Sequence, residues 1–152
     1  MTLEKFRILH STLVEHYQFI EAHLEGIYAA VSGKTLLEGL KDVEKDSIHR
    51  ILKAIKKAEK EKNIVVFTEE EYERIEYILT RRNFWCHNCY YDLVFDRKTG
   101  GLKKAEDEQG MLKDLCESED LRKELFDKQR KWFQTEQDRL LSFDCPFGCD
   151  KI

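Results

Sequence analysis

The densest chemistry in this chain lies in the run Leu79-Thr80-Arg81-Arg82-Asn83-Phe84-Trp85-Cys86-His87-Asn88-Cys89-Tyr90-Tyr91. Arg82 is a permanent, fork-shaped cation, Asn83 is an amide that both donates and accepts, and His87 is of the side-chain type that titrates near neutrality. These groups suit metal-free cleavage of RNA. A histidine with a pKa of about 6.5 can take the proton of a ribose 2′-hydroxyl or protonate a leaving oxygen. An arginine can hold the scissile phosphate and stabilise charge developing on its oxygens. A second chemistry competes in the same run. Cys86 and Cys89 form a C-x2-C pair, and Cys145 and Cys149 form a C-x3-C pair near the chain end. Four thiolates are a set that zinc favours.

The element that carries this run decides between the two. Tyr72, Ile75, Ile78 and Leu79 before it, and Tyr90, Leu93, Val94 and Phe95 after it, keep a helical period. Thr68 and Glu71 form a capping-box pattern at its start. The pattern predicts one helix from Glu69 to about Phe95. On such a helix Asn83 and His87, four residues apart, lie about 40° from each other, so the amide is expected to hold the imidazole. Arg82 and His87, five apart, are separated by about 140°. A second copy, antiparallel across a two-fold axis, would bring each Arg82 near the other chain's His87. The same helical continuity counts against zinc, because a C-x2-C knuckle normally sits in a tight turn with a glycine nearby. Only Cys145-Pro146-Phe147-Gly148-Cys149 looks turn-like. The reading is therefore no cofactor and inert thiols, with a structural zinc on Cys86, Cys89, Cys145 and Cys149 as the alternative.

The remaining elements are read as helices too. Phe6, Leu9, Leu13, Tyr17, Ile20, Leu24, Ile27 and Val31 recur every three or four residues, and Ser32-Gly33 ends that helix. His10, His16 and His23 lie on it and are taken as packing or surface histidines. His16 and His23 are about 10 Å apart along the axis, too far to share an ion. A second helix runs from about Thr35 to Lys60, with a break foreseen near Asp46-Ser47. Its stripe is Leu36, Leu37, Leu40, Val43, Ile48, Ile51, Leu52 and Ile55. Lys53, Lys56, Lys57 and Lys60 share one side of it, a solvated face or, in a ribonuclease, a track for the RNA backbone. Asn63 to Phe67 is a short apolar connection with extended character. Asp96 to Lys104, containing Thr99-Gly100-Gly101, is the clearest turn. A shorter helix over about Ala105 to Cys116 follows, and Ser118 caps a last one that runs to about Ser142. The sum is an all-α, antiparallel bundle of about five helices, with one domain over 1–142 and a tail over 143–152.

Composition supports this class. Of 152 residues, 37% are charged and 41% hydrophobic, which suits amphipathic helices with solvated outer faces. One proline and seven glycines are too few for a many-stranded sandwich or barrel. The net charge of −4 gives no global signature of nucleic-acid binding, so phosphate contacts must come from a local patch. No apolar run is long enough to span a bilayer or to serve as a signal peptide. Five cysteines, an odd number, fit a reducing cytoplasm. The expectation is a soluble, cytoplasmic protein.

Arg82-Asn83-Phe84-x-x-His87, late in a long helix and followed by bulky aromatics, resembles the signature of the HEPN superfamily. These are small all-α domains of prokaryotic toxin–antitoxin and defence systems. The helical layout is similar over most of residues 1–142, and specific identity is confined to about 81–91. Trp85-Cys86 replaces the small apolar residues that often precede the histidine in that family. The resemblance implies a metal-independent endoribonuclease, a homodimer with its cleft at the interface, and an antitoxin partner such as a nucleotidyltransferase. His87 would be the acid/base, Arg82 the phosphate clamp and Asn83 the orienting residue. Arg81, Tyr90, Lys53 and Lys57 are the candidate RNA contacts, Tyr90 by stacking on an unpaired base. The alternative is a catalytically inactive helical module that binds RNA or protein.

Overall fold

The apolar stripe of the first helix is buried at Phe6, Leu13, Tyr17, Ile20, Leu24, Ile27 and Val31. Burial of each large side chain in such a stripe is worth about 1.5–3 kcal/mol, which is what holds so long a helix against its neighbours. The computed structural model describes residues 2–89 and 106–135. Within them the chain forms α1 (Leu3–Ser32), α2 (Leu36–Val43), α3 (Ile48–Lys62), α4 (Glu69–Asn83) and α5 (Glu106–Thr135). A single π-helical turn, Phe84–Asn88, continues α4. The fold class is all-α, and the described residues contain no strand.

Local chemistry sets most of the boundaries. Gly33, with φ of 79°, takes the left-handed conformation that stops α1. Thr35 opens α2 with a capping box, its hydroxyl accepting from the Glu38 N–H. The break foreseen near Asp46-Ser47 is taken, so the region read as one helix is two. Asn63 ends α3 in the left-handed region, at φ 51°. The connection to α4 buries Val66 and Phe67 and exposes Val65.

Two expectations are corrected. Leu37, assigned to a buried stripe, is 62% exposed. The face α2 buries is that of Gly39 and Val43, and Leu37, two residues from Gly39, points about 200° away from it. Ser118, read as the cap of a final helix, lies inside the uninterrupted α5. Its hydroxyl donates back to the Leu115 carbonyl (3.0 Å), so the chain needs no break there. The expected extension of α4 to Phe95, the 96–104 turn, the stretch to Ser142 and the 143–152 tail lie outside the described residues.

The chain groups into two compact units. The first comprises Met1–His23 and Val65–Leu125, the second Leu24–Ile64 and Phe126–Ile152. In the first, α1 and α5 run parallel, because Lys5 pairs with Glu108 and His16 meets Ser118 at 3.0 Å. The α4 helix is antiparallel to both: Arg74 and Arg81 reach Glu124 (2.6 Å) and Asp114 (2.7 Å) of α5. In the second unit Ala29, Ala30 and Phe133 form a cluster flanked by Leu36 and Trp132. Gly39 lets α2 approach α1 closely, since a Cβ there would fall 2.3 Å from that of Ala29. No helix among the described residues is long and apolar enough to cross a membrane.

Candidate active site

The motif sits where α4 changes its winding. The helix starts on a closed capping box: the Thr68 hydroxyl accepts from the Glu71 N–H (3.2 Å), and the Glu71 carboxylate accepts from the Thr68 N–H (2.8 Å). It buries Tyr72, Ile75, Ile78 and Leu79 and reaches Asn83. There the Cys89 N–H donates to the Phe84 carbonyl, five residues back, in place of the Trp85 carbonyl four back. The Trp85 carbonyl thus does not accept from the Cys89 N–H. Two side chains take it up, His10 through Nε2 at 2.9 Å and Cys89 through Sγ at 2.8 Å. This contact assigns the His10 ring proton to Nε2.

The turn is anchored from its inner side. Trp85 is 1% exposed, and its Nε1–H donates to Asp114 Oδ2 at 2.7 Å. Arg81 donates to the same oxygen from Nε (2.9 Å) and Nη2 (2.7 Å). Its guanidinium also lies 4.9 Å above the Phe84 ring centre and 5.8 Å from that of Trp85. Asp114 itself is buried. Three donors on one buried carboxylate oxygen fix the exit of α4 against α5. Beside them Tyr17 is buried, its hydroxyl without a hydrogen-bond partner among the described residues. Burial first, and the Asp114 charge second, push the Tyr17 phenol well above its ordinary range.

The outer side of the turn carries the expected site. Asn83 and His87 are exposed, and Arg82 is partly so. Arg82 Nη2 lies 2.5 Å from Glu21 Oε1 on α1, and its Nη1 donates to Asn83 Oδ1 at 3.2 Å. The expected hold of Asn83 on His87 is not formed, and the Asn83 amide oxygen accepts from Arg82 instead. His87 makes no hydrogen bond to another described residue. Residues five apart diverge by about 140° in an α-helix, whereas a turn closed by a five-residue hydrogen bond brings them toward the same side. The pair joined by that bond is Phe84 and Cys89, whereas the charge of Arg82 acts on Cys86, four residues on.

The other candidates separate. Arg81, a candidate RNA contact, pairs with Asp114 on α5. Lys53 and Lys57 are exposed on α3, in the other compact unit, and Lys57 pairs with Glu61 at 3.7 Å. Tyr90, Cys145 and Cys149 lie outside the described residues. Cys86 is exposed, while Cys89 is buried with its sulfur on the Trp85 carbonyl. Partial desolvation of the Cys86 sulfur raises its thiol above the ordinary value, Arg82 drawing it back. Among the described residues, no three His, Cys, Asp or Glu side chains gather where they could hold a metal ion.

Three participants were not legible beforehand. Glu21 and Asp114 are single acids in helices rich in them, and His10 acts on a backbone carbonyl, which leaves no trace in side-chain patterns. Compared with known proteins, the chain matches no family model, no curated protein and no solved structure.

Proposed function

We propose that this chain is a metal-independent endoribonuclease of a toxin–antitoxin or defence system, working in the cytoplasm as a homodimer with a protein antitoxin as partner. The observation that carries this reading is the π turn. It carries His87, exposed and without a hydrogen bond to another described residue, five residues beyond Arg82. In the reaction, neutral His87 takes the proton of a ribose 2′-hydroxyl as its oxygen attacks the adjacent phosphorus. The bond from phosphorus to the 5′-oxygen breaks, and a protonated His87 of a second copy gives that oxygen its proton. Arg82 meets the charge that builds on the non-bridging oxygens. The products are a 2′,3′-cyclic phosphate and a 5′-hydroxyl, with no redox change and no metal in the balance.

The Arg82–Glu21 pair favours a second reading, since a neutralised arginine attracts phosphate weakly. On that reading the chain is a catalytically silent module that binds RNA or protein. End-group analysis of incubated RNA separates the two. Cyclic phosphate and 5′-hydroxyl ends, formed in EDTA, are the expected result. RNA recovered intact, or cut to 5′-phosphate ends only, would overturn the ribonuclease reading.

A further inference from the structure

We propose that Glu21, on α1, is the positioning residue for Arg82, so that the site is built from two helices and not from the motif alone. The proposal rests on the ribonuclease reading above. Arg82 is at the last turn of α4, where a long flexible side chain has no fixed direction of its own. Two contacts give it one. Glu21 Oε1 lies 2.5 Å from Nη2, and Asn83 Oδ1 accepts from Nη1 at 3.2 Å. The first comes from a separate helix, and the second from the adjacent residue.

The burial of the pair fits a positioning role. The Glu21 side chain is 24% exposed, Arg82 is 34% exposed, and the Glu21 oxygen facing the guanidinium is shielded from solvent. A guanidinium has five N–H donors. Asn83 engages one of them, Glu21 faces the fork as an ion pair without hydrogen-bond geometry, and the remaining N–H groups are left for the oxygens of a phosphate. Glu21 therefore orients the fork without filling it. Because its negative charge repels the phosphate, the pair also sets a split between binding and turnover. Removing Glu21 raises the local positive potential but lets the guanidinium wander.

Steady-state cleavage of a short RNA by wild type, Glu21→Gln and Glu21→Ala tests this. Glutamine keeps an oxygen acceptor of nearly the same shape, and alanine keeps none. The expected order of kcat is wild type, then Glu21→Gln, then Glu21→Ala, the last lower by about tenfold to a hundredfold. KM is expected to stay level or fall. A merely structural role would instead lower the active fraction and the unfolding midpoint together. A kcat for Glu21→Ala equal to or above wild type would overturn the proposal, and a kcat above wild type would make Glu21 a latch. Loss of the alanine variant to misfolding leaves the glutamine variant to decide.

A second measurement needs no activity. Arginine side-chain NMR, with the signal assigned by Arg82→Lys, should show slowed guanidinium rotation in wild type and its release in Glu21→Ala. Equal mobility in both would overturn the proposal. Slowed rotation in a wild type that cuts no RNA would instead sink the ribonuclease reading and leave the pair as a structural contact.

Discussion

His10 Nε2 lies 2.9 Å from the Trp85 carbonyl oxygen, the acceptor that the Cys89 N–H passes over in the π turn. The turn carries His87, so the residue that supports the candidate active site belongs to a helix far away in sequence. Its ring also stacks on Phe6, with centroids 5.6 Å apart. The site and the packing of α1 are therefore one arrangement.

His10→Ala should destabilise the fold by about 1–2 kcal/mol, because the Trp85 carbonyl loses a side-chain donor from another helix. Urea unfolding measures it, and a midpoint unchanged from wild type would show that Cys89 Sγ and water suffice.

Asp114 predicts a larger effect. Asp114→Ala removes the acceptor of Arg81 and Trp85 together and should cost about 3 kcal/mol or more. Asp114→Asn, which keeps an oxygen, should cost less. Trp85 emission, followed in a Trp132→Phe background, should shift as its indole N–H loses its partner. An alanine variant as stable as wild type would refute the anchoring role.

The structure makes stability depend on pH through His16. Burial, followed by the Arg122 charge, lowers its folded pKa below the ordinary value of 6.5. Ser118 already donates to Leu115 and so accepts from His16 Nδ1. The folded form favours the neutral ring. Its contribution to stability is complete above about pH 6.5 and is lost as pH falls through the unfolded value toward the folded one. Unfolding followed from pH 7.5 to 5.5 should show this loss, and His16→Asn should flatten it. An equal slope in the variant would assign the dependence to other groups.

How much of this could be read from the chain differs by residue. The α1 stripe, the Thr68–Glu71 box and the Gly33 stop were legible because each rests on chemistry within one turn. Leu37 was misread because α2 is too short for periodicity to choose its face, and the close approach of Gly39 to Ala29 made the choice. Ser118 was misread because the same hydroxyl that caps a helix can back-bond inside one. The Asn83–His87 pairing is not formed because the Asn83 oxygen accepts from Arg82, the residue beside it. Arg82 and His87 were visible as types, while Glu21, which meets Arg82, depends on packing between helices.

The cysteines should separate by reactivity. Alkylation at neutral pH, located by peptide mass, should modify Cys86 and Cys116 and spare Cys89 until the protein unfolds. Metal analysis of the same sample tests the zinc alternative on Cys86, Cys89, Cys145 and Cys149. About one zinc per chain, with Cys86 protected, would replace the free-thiol account.

The most direct measurement is RNA cleavage in EDTA by wild type, His87→Ala and Arg82→Ala, each checked for unchanged folding by circular dichroism. The account predicts cleavage by wild type and a loss of about a hundredfold or more in each variant. Wild-type rates in His87→Ala, or no cleavage by the folded wild type across varied RNAs, would contradict it.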